Sequence, residues 1–190
     1  ETPAAGLGIV IAKGLTELMG GSIAAKSGRE KGTVFRVELA FDRMEEKEKT
    51  EAESEALAGK RLLLAEDDRL CGEILCELME DETGRPVSIT ANGRAALEMF
   101  ESANGEYDAI IMDVQMPVMN GYEAARAIRR SGCGNAKTVP IIALTADASE
   151  ESARSAADSG MNGCLAKPVN IDRLRKAVAA ALKSLSVAYR

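Results

Sequence analysis

The 190 residues exceed one average domain and fall short of two, and with 46% apolar and 28% charged residues they hold material for a packed core, which excludes a disordered tail. Neither a bilayer-spanning apolar run nor a signal-peptide start is visible, so a cytoplasmic fragment without membrane contact is expected; a net charge of -6 with 3% aromatic residues speaks against a nucleic-acid partner. Histidine is absent, which excludes His triads and His metal sites, and Cys71, Cys76, Cys133 and Cys164 form no C-x-x-C pair, so reduced, packed thiols are expected.

In chain order, Leu7, Ile11, Leu15 and Leu18 share one face of a helix that ends at Gly20 and Gly21. A hairpin follows, its second strand alternating Phe35, Val37, Leu39 and Phe41 with Arg36, Glu38 and Ala40 after the turn SGREKG. A helix and a hairpin bury too little to stand alone, so residues 1–44 read as the end of a larger domain. Residues 45–59, EEKEKTEAESEALAG, carry six acids, two lysines and one large apolar side chain, Leu57. That composition predicts an acidic linker that could wind into a turn or two of helix. From residue 60 to 190, short apolar runs (RLLLAE, PVSITA, DAIIMD, VPIIALTA, GCLAK) alternate with helical patterns over 70–80, 94–103, 122–130, 150–159 and 171–185. Five strands alternating with five helices predict an α/β fold with a parallel, doubly wound sheet. The last helix has the clearest stripe, from Ile171 and Leu174 through Val178, Ala181 and Leu182 to Leu185. The helix over 150–159, rich in Ala and Ser, has no large apolar anchor and is expected to be the least firmly packed.

Ligands of such sheets bind beyond the carboxyl ends of the strands. There the first strand ends in Glu66, Asp67 and Asp68, the third in Asp113, the fourth in Thr145 and the fifth in Lys167 and Pro168. Gathered carboxylates repel unless a cation neutralises them, and an all-oxygen set suits Mg²⁺. A hard cation, a hydroxyl and an ammonium together match the three equatorial oxygens of a transferring phosphoryl group. The acceptor is then a carboxylate: Asp113 at the end of the central strand, with Asp67 and Asp68 as metal holders. Plainer roles stand beside these. Asp68 can cap the following helix, Met112, Met116, Met119 and Met161 read as packing, and the small Ala146 leaves access to Thr145. The Lys167–Pro168 peptide is a candidate cis bond.

The run MDVQMPVMNGYEA, with EDD before it and LTA and KP after it in order, resembles the receiver domain of two-component phosphorelays, above all that of hybrid sensor histidine kinases. The likeness covers residues 60–185. It implies a flavodoxin-like sheet of strand order 2-1-3-4-5 and transfer of a phosphoryl group to Asp113 from the phosphohistidine donor domain of a histidine kinase. It further implies Mg²⁺ held by the Asp113 and Asp68 carboxylates and the Gln115 backbone carbonyl, with Asp67 acting through water, and onward transfer to a His phosphotransfer protein or to water. The resemblance also implies that Gln115 and Asp147, two residues beyond the acceptor and the threonine, tune the loss to water. Cys164 departs from the pattern: Tyr or Phe is usual three residues before the lysine, and a thiol cannot fill the same volume, so aromatic switching in its usual form is not expected.

The segment GLGIVIAKGLTELMGGSIAAKSGREKGTVFRVELAF is similar to the last glycine box, helix and hairpin of the α+β ATP-binding domain of histidine kinases. Gly6 and Gly8 would be remnants of its ATP lid, and Ala4 stands where a further glycine is usual. The acid that binds adenine in that family has no counterpart, since no Asp precedes Asp42, so this segment is not expected to bind ATP. The whole then reads as the C-terminal part of a hybrid sensor histidine kinase. Two rivals differ in class: a receiver-like binding module that is never phosphorylated, and an aspartate-nucleophile phosphatase. The second needs Asp-x-Asp at the end of the first strand, where this chain has Glu66-Asp67-Asp68.

Overall fold

The computed structural model describes residues 7–28, 32–41, 51–147 and 149–188, in two units, Glu1–Lys47 and Glu48–Arg190. Among the described residues no helix is long and apolar enough to cross a membrane.

The first unit contains α1 (Leu7–Leu18) and the antiparallel pair β1 (Ser22–Gly28) and β2 (Gly32–Glu38), in register from Ser22 opposite Glu38 to Gly28 opposite Gly32. The pattern of the sequence makes these elements, yet two strands and one helix cannot cover their own apolar face. Ile11, Leu15 and Phe35 remain about half exposed.

The second unit runs α2 (Glu51–Leu57), β3 (Leu62–Ala65), α3 (Arg69–Thr83), β4 (Ser88–Thr90), α4 (Gly93–Ser102), β5 (Ala109–Asp113), α5 (Gly121–Ser131), β6 (Ile141–Thr145), α6 (Glu150–Asp158), β7 (Gly163–Ala166) and α7 (Ile171–Ala188). Its five strands are all parallel, in the order β4-β3-β5-β6-β7, which is 2-1-3-4-5 counted from β3. Chain direction across the sheet reverses between β3 and β5, and the crevice beyond their carboxyl ends is where such sheets hold ligands.

Strands buried on both faces read as continuous apolar runs, as LLLA, AIIMD and IIALT do here. Ile110, Met112, Ile141 and Ala143 point to the layer of α4, α5 and α6, where Phe100 and Ile128 fill the space. Ala109, Ile111, Ile142 and Leu144 point to the layer of α3 and α7, against Leu75, Met79, Leu174 and Val178. Helix starts are set by side chains that accept the first free N–H groups: Asp68, Asn92 and Ser149 cap α3, α4 and α6, and Asn120 with Glu123 forms a capping box on α5.

Where composition predicts a linker, Glu51–Leu57 is helical and Leu57 is wholly buried in the cluster of Leu62, Leu64 and Val178. One apolar side chain suffices because α3 and α7 supply the surface it needs, which a window of local composition cannot register. Residues 45–50 of that expected linker lie outside the described residues.

Candidate functional site at the carboxyl edge of the sheet

Asp113 ends the central strand with 3% of its surface exposed. The Gln115 N–H donates to its Oδ1 at 3.0 Å, and Lys167 Nζ donates to Oδ2 at 2.7 Å. The loop that follows is folded tightly back: Gly121 N–H donates to the Val114 carbonyl at 3.0 Å, and a Cβ on Gly121 would collide with the Asp113 carbonyl. Glycine there lets α5 begin against the end of β5. Lys167 stands just past β7, its N–H on the Thr145 carbonyl at 2.7 Å, and the Lys167–Pro168 peptide is cis as expected.

The three acids after β3 part company. Glu66 continues the strand register, its N–H on the Thr90 carbonyl at 3.0 Å, and its side chain is fully buried. Lys167 Nζ donates to Glu66 Oε1 at 2.8 Å and lies equally near Oε2, which has no hydrogen bond. Carboxylate oxygens of Glu66, Asp67 and Asp113 come within 4.8 Å of one another. Asp68, expected to hold the metal directly, does not join this cluster. Its extended backbone and its Oδ1, which accepts the Cys71 N–H at 2.8 Å, make it the cap of α3. The acids gathered with Asp113 are therefore Glu66 and Asp67, whereas the sequence reading had named Asp67 and Asp68. The strand ladder reaches Glu66, which leaves Asp68 as the residue immediately before the helix and hence its cap. The Gln115 side chain is exposed on the rim of a cleft of about 510 Å³ lined also by Asp67, Val114, Met116 and Tyr122.

Thr145 is 5% exposed at the end of β6, its Oγ1 accepting the Asp147 N–H at 3.3 Å. Ala146 and Asp147 are exposed beside it. Cys164 is half-buried against the α4–α5–α6 layer, and the nearby aromatic ring is Tyr122 at the start of α5, whose hydroxyl contacts the Ser152 carbonyl of α6 at 3.5 Å. Tyr122 belongs to a different element from the one where an aromatic is usual. Of the two lid glycines, Gly8 is an exposed position of α1 and Gly6 lies outside the described residues.

Residues 62–179 match the response regulator receiver domain. The chain belongs to that family. The sensor histidine kinase AruS of Pseudomonas aeruginosa is 33% identical over 175 residues, an alignment covering 91% of this chain and 17% of AruS. The receiver domain of sensor histidine kinase PA1611 from Pseudomonas aeruginosa, solved with a magnesium ion in its active-site cleft, is 37% identical with TM-score 0.55, covering 66% of this chain and 99% of that one. The receiver of Saccharomyces cerevisiae Ssk1, solved with the histidine phosphotransfer protein Ypd1, is 30% identical with TM-score 0.57, over 64% and 88% of the two chains. The chain thus spans a small part of the length of the sensor protein it matches, and its second unit is a phosphorelay receiver.

The electrostatics of the receiver site follow from burial and from one ammonium. Burial pushes the Glu66 carboxyl above its usual range, the neighbouring Asp113 adds to this, and the hydrogen bond from Lys167 opposes it. Burial alone would lower Lys167, but its hydrogen bonds to Asp113 and Glu66 prevail and hold its pKa above the usual lysine value. The ammonium is thus the only cation holding two buried carboxylates among the described contacts of this cluster. Asp68 is held below the usual range by its bond from Cys71, as a cap is. Burial raises Cys164 and Tyr122, so neither the thiol nor the phenol is poised to ionise near neutral pH.

Proposed function

We propose that this receiver accepts a phosphoryl group on Asp113 from the phosphohistidine of a kinase domain, with Mg²⁺ at the acidic cluster, and passes it to a His phosphotransfer protein or to water. The observation that carries this reading is the Asp113 carboxylate, buried at the end of the central strand, fixed at one oxygen by Gln115 and at the other by Lys167. The donor set fits the ion: three carboxylates with oxygens inside 4.8 Å, facing a single ammonium among the described residues, that of Lys167. Asp67 and Asp113, with the Gln115 backbone carbonyl, would hold the ion, and Glu66 would stand behind them. Bound there, Mg²⁺ supplies positive charge against the carboxylates and the phosphoryl oxygens.

The residues of the chain do the rest. The Gln115 N–H keeps Asp113 oriented, so that one carboxylate oxygen faces the incoming phosphorus. As the O–P bond forms, the P–N bond to the donor imidazole breaks and its electron pair returns to nitrogen. The product on this chain is an acyl phosphate on Asp113. Lys167 Nζ and Thr145 Oγ1 hold two phosphoryl oxygens as charge builds on them. Gln115 and Asp147 flank the path of water to the phosphoryl group and set its lifetime. The partner has apolar ground to rest on: Leu70 and Ile74 are 67% and 49% exposed on the first turns of α3, beside a groove formed with Pro168 and Val169 next to Lys167. The Ypd1 complex of the Ssk1 receiver supports a partner of this kind.

The alignment to AruS extends over 91% of the chain and so into the residues before the receiver. It supports a parent that is a hybrid sensor histidine kinase, with residues 1–44 as the end of its catalytic domain. The test is transfer from a labelled phosphohistidine domain. Label should move to this chain in the presence of Mg²⁺ and not to the Asp113→Asn variant; label that stays on the donor would refute the reading.

A further inference from the structure

A second group of charges is buried away from the acidic cluster. Arg175 of α7 is 3% exposed, and its guanidinium lies 3.6 Å from Glu53 of α2, 3.8 Å from Glu82 of α3 and 3.2 Å from Asp172 of its own helix. A buried guanidinium persists only where carboxylates compensate it. One of the three comes from the stretch whose composition reads as a linker.

Other bonds join the same stretch to the same surface. Leu57, the last residue of α2, is wholly buried with Leu62, Leu64 and Val178. The Gly59 N–H donates to the Thr83 carbonyl at 2.7 Å, and the Arg85 guanidinium donates to the Gly59 carbonyl at 3.2 Å. Lys60 pairs with Asp108 at 3.0 Å. Apolar burial, a buried ion cluster and backbone hydrogen bonds thus hold Glu53, Leu57, Gly59 and Lys60 within one stretch of eight residues.

We propose that α2 is a strap belonging to the receiver: it packs over α3 and α7, seats the Arg175 guanidinium, and grips the entering chain from Glu53 onward. The receiver fold therefore extends N-terminally beyond the residues that match its family. The strap also steadies α7, whose first turn begins at Ile171, three residues after Pro168. This holds whether or not Asp113 is ever phosphorylated.

Amide hydrogen exchange on the full chain tests it. The amides of Ala58, Gly59 and Lys60, which donate to Ser54, Thr83 and Leu57, are expected to exchange on the order of 100-fold slower than in a free chain. Leu57→Ala should cut that protection by about 30-fold or more and lower the melting temperature by about 10 °C. Leu57→Met, which nearly conserves volume, should keep both. Should Leu57→Ala fail to fold, Glu53→Gln serves instead, with a smaller loss of protection and a melting point lower by a few degrees. Free-chain exchange at residues 58–60 in the unsubstituted protein would overturn the proposal. So would an unchanged melting temperature in both Leu57→Ala and Glu53→Gln.

Discussion

Asp68 adds nothing to the acidic cluster because its carboxylate is already committed to the Cys71 N–H at the start of α3. Asp68→Ala should therefore lower the melting temperature by a few degrees and leave Mg²⁺ affinity unchanged, whereas Asp67→Ala should weaken Mg²⁺ binding about tenfold or more with little change in the melting point. A magnesium titration followed by thermal unfolding of both variants reads the contrast. Val118 presents a different strain: it is β-branched, 83% exposed and held at φ 68° in the loop after Asp113. Val118→Gly should stabilise the fold by about 0.5–1 kcal/mol in denaturant titration, the relief of the left-handed conformation exceeding the extra chain entropy that glycine loses. Burial pushes the Cys76 thiol up to about 11, with Glu80 adding to it. The folded protein then keeps this proton where the unfolded chain releases it, so the Cys76 contribution to stability is present below pH 9 and lost as pH rises toward 11. Cys76→Ala should flatten the fall in melting temperature over that interval relative to the unsubstituted protein. At this scale the chemistry of the site was legible and its register was not. Asp113, Thr145 and Lys167 could be picked out because polar residues end apolar strands, but three successive acids offer no local sign of which one caps the helix. That choice is made by where β3 stops pairing with β4, a property of two strands.

Among the elements, β3, β5 and β6 were readable because burial on both faces leaves no polar alternation to interrupt the run. The strand order was not readable from periodicity, since it depends on crossovers that leave no mark on a single segment; it came with the resemblance. A turn or two of helix was expected where α2 stands, but its packing escaped, because its stability comes from α3 and α7 and not from its own sequence. The helix α6 is the opposite case. Within it only Ala156 is buried, where α4 and α5 each bury four residues, and its weak anchoring was visible in the run of Ala and Ser. Amides of Glu150–Asp158 should accordingly exchange faster than those of α3, α4 and α5. Protection there equal to that of α5 would contradict this packing argument.

For the whole molecule, the decisive term is the charge held at one edge of the sheet. Glu66 and Asp113 are buried with Lys167 between them, and a cation that binds only the folded state stabilises it by mass action, by about 2.7 kcal/mol at a concentration one hundred times its Kd. Added Mg²⁺ should raise the melting temperature of the receiver, chelation should return it, and Asp67→Ala should abolish most of the response. Within the first unit, the half-exposed Ile11, Leu15 and Phe35 agree with the limited core that one helix and one hairpin can make. The measurement that tests the central claim most directly is intact mass after incubation with a small acyl phosphate and Mg²⁺, beside Asp113→Asn and a chelated sample. The account predicts the added mass of one phosphoryl group on the unsubstituted protein with metal and on neither control. No added mass while Mg²⁺ still binds would contradict it, and would leave a receiver fold that serves as a binding module alone.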